Sequence, residues 1–391
     1  MASSSNGERK RARPDGRRRP SAATDEYIMI GPNEPFAIPP GMSREEAIRF
    51  FQEAEQAAKK VIALYGDGRP ADGIPRASHL PNSCHRDGSI YTVNFGWHVD
   101  YCISDRTETQ LEPMMLAEPT DCQPNRETCD FHFADPMMQI FSLKLAKISS
   151  GISPIQLYGY LAVRDIRDSG LNYIFNRSRD DPITINEGSL IEMTGPKRGI
   201  GMSCDVLIEY DMKIKKGGKE EEDLQLIDGV SDYSAVYNTS CKAFMNRIDG
   251  DGGSVDITLA LIRRAVEAMI EVVVSEVYNE GFDLCLSSFV SGIGKEIQLF
   301  HGVVDEPCGL RRSVVAVALD TLMELKFKVC HGCGEIERCA NFKAIKHGSV
   351  SQDIKFDQAS ISVKQEQVQA ICQICRTRAQ CSTAGKAGGR F

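Results

Sequence analysis

The strongest constraint on this chain is a strict two-residue rhythm of apolar and polar side chains. In the segment 206–215, Val206, Ile208, Tyr210, Met212 and Ile214 alternate with Glu209, Asp211, Lys213 and Lys215. Successive side chains of an extended backbone point to opposite faces, so such a segment has one dry face and one wet face. Phe141, Leu143 and Leu145 alternate in the same way with Ser142, Lys144 and Ala146, and Ile155, Leu157, Leu161 and Val163 continue the pattern. Met323, Leu325, Phe327 and Val329 oppose Glu324, Lys326 and Lys328. Val266, Ala268, Ile270, Val272 and Val274 face away from Glu267 and Glu271. Ala260–Glu276 has helical propensity too, but its β-branched second half predicts a strand. These segments are separated by Gly-rich turns and lack βαβ spacing. They imply an all-β fold, an antiparallel β-sandwich of about 230 residues.

The rhythm begins near residue 136 and predicts a sandwich domain over 136–365. Residues 1–24 are rich in Arg, Ser and Gly without apolar periodicity, which predicts a disordered basic tail. Residues 25–135 read as a helix followed by a Pro-, Gly- and Cys-rich linker with one strand candidate, Ser89–Phe95. The helix is placed at Ser43–Tyr65: Ser43 and Glu46 form a capping box, and Gly66 supplies the stop. Its apolar stripe includes Ala47, Phe50, Phe51, Ala54, Ala57, Val61 and Leu64, and predicts docking on the main domain. Residues 366–391 form an atypical Cys-containing tail.

The net charge of −8 argues against the whole molecule coating nucleic acid. The basic segment Lys10–Pro20 is the exception, and its expected partners are nucleic acid or an import receptor. Neither a secretory leader nor an apolar run long enough to span a bilayer is expected, and no membrane partner follows. The 14 cysteines are then thiols or metal ligands in a reducing compartment, cytosolic or nuclear.

Ile155–Pro182 (IQLYGYLAVRDIRDSGLNYIFNRSRDDP) carries an unusual density of Arg and Asp on a hairpin-like strand pair. Together with TGPKRGIG at Thr194–Gly201, QIFSLKLAKI, DLQLIDG, KEIQLFHG and GLRRSVVAVALDTLMELKFKV, it resembles a plant domain family of unknown function, expanded in cereal grasses. The resemblance covers residues 137–364. Its motif residues here are Arg164, Asp165, Asn172, Asn176, Arg177, Arg179, Asp180, Asp181, Gly195, Pro196, Lys197 and Arg198. Some relatives are described as rRNA N-glycosidases or accompany ribosome-inactivating domains. The resemblance therefore implies a link to translation or to stress and defence, with a protein partner or the ribosome as the expected contact. Family members usually end soon after a strand like Ile361–Lys364, whereas this chain runs on into residues 366–391.

Candidate chemistry can be tested on the residues. Ribosome-inactivating enzymes share a helical Glu-Ala-Ala-Arg motif with active-site tyrosines and a tryptophan. The nearest string is Glu267-Ala268-Met269 in a strand-like context, and the single tryptophan, Trp97, lies in the linker. No catalytic residue is therefore assigned, and a non-catalytic interaction module is the expectation; rRNA N-glycosidase activity is the alternative. The two Asp pairs, Asp165/Asp168 and Asp180/Asp181, stand at opposite ends of a strand, too far apart for one calcium ion. Arg–Asp pairs that fix loop conformations explain them more simply. Asp249–Asp256 lacks Gly at the sixth position and Glu at the twelfth, and reads as a Gly-rich turn. Gly195–Gly199 puts basic residues on a turn that could meet a phosphate. Cys84 beside His85, and Cys122, Cys129 and His132, match no nucleophile or metal signature.

The sharpest metal expectation is zinc, in a zinc-assisted nucleic-acid binder. Cys330 and Cys333 form a CxxC followed by Cys339, and Cys372 and Cys375, followed by Cys381, repeat that spacing. Two strands, Asn341–Lys346 and Ile354–Val363, would bring the two pairs to one sheet end. Metal analysis of the chain with and without residues 366–391 tests this. Zinc lost with the tail supports the site, and equal, negligible zinc in both ends it.

Overall fold

Alternating segments of this density must pair edge to edge and bury their dry faces against one another, and they do. The computed structural model describes residues 27–31, 34–37, 43–49, 52, 72–92, 96–111, 134–234, 242–278, 281–331, 334–346 and 348–368. The chain forms two units, residues 1–68 and 69–391. The basic segment 1–24, the tail beyond 368, and Cys122, Cys129 and His132 lie outside the described residues.

In the smaller unit, β1 (Tyr27–Gly31) pairs antiparallel with β2 (Glu34–Ala37). Residues 44–49 are helical. The expected capping box is formed: the Ser43 amide donates to Glu46 Oε2 at 2.8 Å, and the Glu46 amide donates to Ser43 Oγ at 3.2 Å. Apart from Gln52, the rest of the expected Ser43–Tyr65 helix lies outside the described residues.

The larger unit begins with β3 (Ser78–His79), β4 (Asp135–Ile148), β5 (Ile155–Asp165), β6 (Asp168–Arg177) and β7 (Ile183–Ile185). Then come β8 (Leu190–Ile191), β9 (Ile200–Gly201), β10 (Val206–Lys215), β11 (Leu224–Tyr233) and β12 (Phe244–Gly250). The long β13 (Gly253–Val277) leads to β14 (Phe282–Val290), β15 (Glu296–Val304), β16 (Cys308–Gly309) and β17 (Ser313–Ala318). The last strands are β18 (Leu322–His331), β19 (Gly334–Lys343), β20 (Gly348–Lys355) and β21 (Ala359–Val368). Strand pairing is antiparallel, as the period-two pattern requires.

Three sheets result. One has six strands in the order β3-β11-β10-β5-β6 with β7 on β5. A second has nine, running β20-β21-β13-β4-β8, with β12, β16 and β17 on β13 and β9 on β4. The third is β15-β14-β18-β19. The nine-stranded sheet takes part in two separate cores. In one, Val255, Ile257, Leu259 and Leu261 of β13 pack with Leu157, Leu161 and Val163 of β5 and Val206, Ile208, Tyr210 and Met212 of β10. In the other, Val266, Ala268, Ile270, Val272 and Val274 pack with Leu284 and Leu286 of β14 and Leu325, Phe327 and Val329 of β18. The expected single sandwich is thus two sandwich-like layers joined by one 25-residue strand. At a rise of about 3.3 Å per residue, β13 is about 80 Å long, enough to run through both. The β-branched half of Ala260–Glu276 is extended, as expected.

Two local expectations need correction. Ser89–Thr92 is a short helix, not a strand. Asp87 Oδ1 accepts the Ser89 amide at 2.8 Å and Gly88 takes φ +75°, so the chain turns instead of extending. Near the C-terminus three strands replace the expected two. The missed one, β20, is an edge strand whose Ser349, Ser351, Gln352 and Asp353 are exposed, and so polar an edge shows no apolar alternation.

Because one strand threads both cores, they are expected to melt together. Phe175→Ala in one core and Phe327→Ala in the other should each lower stability by about 3–5 kcal/mol. Both should shift one common transition in urea followed by circular dichroism; two separable transitions would mean independent cores.

Candidate anion-binding cleft

The six-stranded sheet has an outer face that the sequence rhythm marks as wet. In the structure, residues 72–92 and 96–111 run alongside it. Ile90, Tyr101 and Ile103 pack on Leu207 and Val230 to form a third, small core. Glu209 lies on that face and is buried. A carboxylate there survives only with partners, and it has three. Arg164 Nε donates to Oε2 at 2.7 Å, and Tyr160 Oη donates to Oε1 at 2.7 Å. His85 Nε2 lies 3.1 Å from Oε1.

His85 is held on its other side as well: Nδ1 is 2.6 Å from Asp228 Oδ1, and its own amide donates to the same oxygen at 2.9 Å. Burial alone would disfavour the imidazolium, but hydrogen bonds to Asp228 and Glu209 outweigh it and raise the His85 pKa to about 9. Burial likewise works against the Glu209 carboxylate, yet hydrogen bonds from His85, Arg164 and Tyr160 leave its pKa below the ordinary value. Arg164, fully buried, spends its remaining donors on the carbonyls of Ser169 at 2.5 Å and Asp105 at 2.6 Å. This cluster clamps the covering segment to β5, β10 and β11. Sequence reasoning set His85 aside as incidental and placed Glu209 in water. The available signal was Leu207, an apolar residue on the supposedly wet face beside Val206 and Ile208.

A second buried cluster holds the TGPKRGIG segment. Arg198 is fully buried and makes a bidentate pair with Asp165, at 2.8 and 2.9 Å. Its other donors reach Thr109 Oγ1, the Gly199 carbonyl and the Asp168 carbonyl. Asn172 grips the same segment, donating to the Arg198 carbonyl and accepting the Lys197 amide, both at 2.9 Å. Glu267 of β13 is buried and accepts the Gly199 amide at 2.7 Å, and burial pushes its pKa up. Gly195 cannot be replaced here, because a Cβ would sit 1.9 Å from the Tyr173 carbonyl oxygen.

The other motif residues make local pairs. Arg177 bonds Asp181 at 2.7 Å, and Arg179 bonds Asp223 at 2.7 Å. Of the arginines in the Ile155–Pro182 block, Arg177 alone pairs with an Asp of the block; Arg164 and Arg179 reach Glu209 and Asp223 instead, and Arg167 lies 3.4 Å from Asp135. Asp180 is exposed. Asp249 and Asp256 are likewise engaged by Arg76 and Arg247 in the β12–β13 hairpin. Gly253 of that hairpin has φ +154°, and a Cβ there would meet the Lys147 carbonyl oxygen at 2.1 Å. Cys330 and Cys339 are exposed on β18 and β19. Cys339 pairs with Lys326 in the register, which puts it four positions from Cys330, about 13 Å along the hairpin and beyond one zinc ion. Cys333, Cys372 and Cys375 lie outside the described residues.

What the motif leaves open is a cleft of about 390 Å³. Its walls are Tyr173 and Asn176 of β6, Thr194–Lys197, Met269 of β13, and Arg311, Arg312 and Val314 at the start of β17, with Glu108 from the covering segment. Arg198 turns inward and is spent on Asp165, whereas its neighbour Lys197 lines the cleft with its ammonium 3.3 Å from the Thr109 carbonyl. Arg311 donates to the Met193 carbonyl at 2.7 Å, and Arg312 lies 3.7 Å from Glu271. The Thr194 hydroxyl has no hydrogen-bond partner. Such a cleft, lined by three cations among apolar side chains, can recognise an anion.

Fold and cleft define an all-β, antiparallel domain whose charged motif residues largely pair within the domain. The chain belongs to the family described as Domain of unknown function (DUF6598), which matches residues 137–365. No curated protein matches it. Among solved structures, human GIVD cytosolic phospholipase A2 in complex with methyl gamma-linolenyl fluorophosphonate and terbium chloride is 10% identical with a TM-score of 0.21. That match covers 61% of this chain and 33% of the phospholipase chain. Extended-Synaptotagmin 2, C2A- and C2B-domains, is 10% identical with a TM-score of 0.22, over 65% of this chain and 98% of that one. Neither likeness is close enough to carry function across.

A histidine whose folded pKa exceeds its unfolded value holds its proton more tightly in the folded state. The His85 contribution is therefore complete below its ordinary 6.5 and is lost as pH rises through about 9. His85→Asn also leaves Asp228 without its cation and Glu209 with Arg164 alone. The variant should be less stable by about 3 kcal/mol at neutral pH, with the gap to the parent closing between about pH 6 and about pH 10. A pH-independent gap in denaturant titrations would refute the imidazolium clamp.

Proposed function

We propose that this protein is a non-catalytic interaction module acting in the cytosol or nucleus, tied to translation or to stress and defence as the resemblance to its relatives implies. One observation carries the reading. The family's charged motif residues Arg164, Asp165, Arg177, Arg179, Asp181 and Arg198 are engaged in ion pairs and hydrogen bonds within the domain. Groups spent in this way hold a surface in shape; they are not poised for proton transfer to a substrate. The surface so held has Lys197, Arg311 and Arg312 in the lining of one cleft.

rRNA depurination is the competing reading. It would need a carboxylate able to reach a base, and Glu267 is buried with one oxygen committed to the Gly199 amide. A zinc-assisted nucleic-acid contact stands with Cys330, Cys333, Cys372 and Cys375 and the metal analysis above.

Ribosome co-sedimentation of the full chain, with and without residues 1–24, tests the proposal at moderate and high salt. Binding that survives salt and loss of the basic segment, with the rRNA left intact, is expected. Binding lost with either change would assign it to tail electrostatics. Release of adenine from the rRNA would instead establish the enzyme.

A further inference from the structure

The cleft beside the TGPKRGIG segment is built from both ends of the large unit. Tyr173, Asn176 and Thr194–Lys197 come from the side of the six-stranded sheet, and Met269, Arg311, Arg312 and Val314 come from the shared sheet. Three features of this wall point to one kind of ligand. First, Lys197, Arg311 and Arg312 converge on it, and guanidinium groups match phosphate oxygens bidentately. Arg311 has a backbone carbonyl as its hydrogen-bond partner, so its charge is not neutralised by a contacting carboxylate.

Second, the Thr194 hydroxyl is a buried polar atom without a hydrogen-bond partner. Buried polar groups are ordinarily satisfied, and such an orphan in the lining of a cleft marks a site that a ligand or water completes. Thr194 lines the cleft itself, and its backbone is fixed, since its amide donates to the Ile174 carbonyl at 2.7 Å. Third, the rest of the lining offers apolar surface: the half-buried Tyr173 ring, Pro196, Met269 and Val314. Tyr173 is braced edge-on by Tyr160, with ring centroids 5.8 Å apart. The volume of about 390 Å³ lies within the range of small-molecule sites.

We propose that this cleft binds a small phosphorylated molecule with a flat or apolar body, of mononucleotide size. Lys197, Arg311, Arg312 and the Thr194 hydroxyl take the phosphate, and Tyr173, Pro196 and Val314 take the body, with Asn176 offering its amide to polar atoms on the body's edge. The site deepens the interaction-module reading and rests on it, since it describes recognition without turnover. It also explains why Arg198 and Asn172 are buried behind it. They hold the backbone of Lys197 in place, so that little ordering is left to be done when the anion arrives.

Isothermal titration calorimetry of the full chain tests the site with AMP, inorganic phosphate and adenosine as probes. No ribosome is present, so the outcome is read apart from the sedimentation result. AMP should bind more tightly than inorganic phosphate, and adenosine should bind at least about tenfold more weakly than AMP, the loss of one charge-assisted contact. Arg311→Gln and Arg312→Gln, both at exposed positions, should each weaken AMP by about tenfold while leaving the melting transition in place. Tyr173→Leu should weaken AMP and leave inorganic phosphate unchanged. The proposal is overturned if AMP does not bind, if it binds no more tightly than inorganic phosphate, or if the arginine substitutions leave its affinity unchanged.

Discussion

The pair on which the rest of the large unit depends is Arg198 with Asp165. Taking both charges out of water costs several kcal/mol per ion, and the pair persists only because neither ion is left with unmet hydrogen bonds. The guanidinium uses Nε and both terminal nitrogens on Thr109, Asp165, Asp168 and Gly199. The carboxylate also accepts the amides of Arg167, Asp168 and Gly201. One ion pair thereby fixes the β5–β6 turn, the TGPKRGIG segment, β9 and the covering segment. Glu267 extends it to β13, and so to the strand that joins the two cores.

The His85 cluster performs the matching task on the outer face of the six-stranded sheet. A half-wet sheet would normally leave that face to solvent. Here residues 84–92 and 96–105 cover it, and the polar residues beneath are converted from solvated to paired. Arg164, Glu209, Tyr160, His85 and Asp228 form a continuous chain of contacts. Tyr160 also braces Tyr173, which carries the arrangement to the wall of the cleft. Charge in the frame is buried, and Lys197, Arg311 and Arg312 line the cleft there.

Much of this frame was legible in residue order. Tyr210 and Met212 are buried where the rhythm put them, as are Leu325 and Phe327, and the Ser43–Glu46 capping box forms. The Ile155–Pro182 block is an antiparallel strand pair, and its arginines are paired. The failures also have physical causes. Glu209 and Arg164 sit at positions that alternation alone assigns to water, because a periodicity reports which side a residue faces and not what later covers that side. His85 has no local companion that marks it; its partners Glu209 and Asp228 lie 124 and 143 residues away. β20 escaped notice because its residues are mostly polar and exposed at a sheet edge.

Local order in the chain determined the class of structure. Period-two alternation can bury its apolar residues only in paired strands, and Gly-rich turns without crossover helices make those pairs antiparallel. It also determined membership of the family, through runs of residues that are contiguous. Contacts between distant segments decided everything about the cleft: which cation of Lys197-Arg198 is spent inward, that Arg311 joins Tyr173 in its lining, and that two cores share one strand. These are properties of pairing register and layer packing. They depend on residues far apart in the chain, and the energy that selects them exists only once the sheets have met.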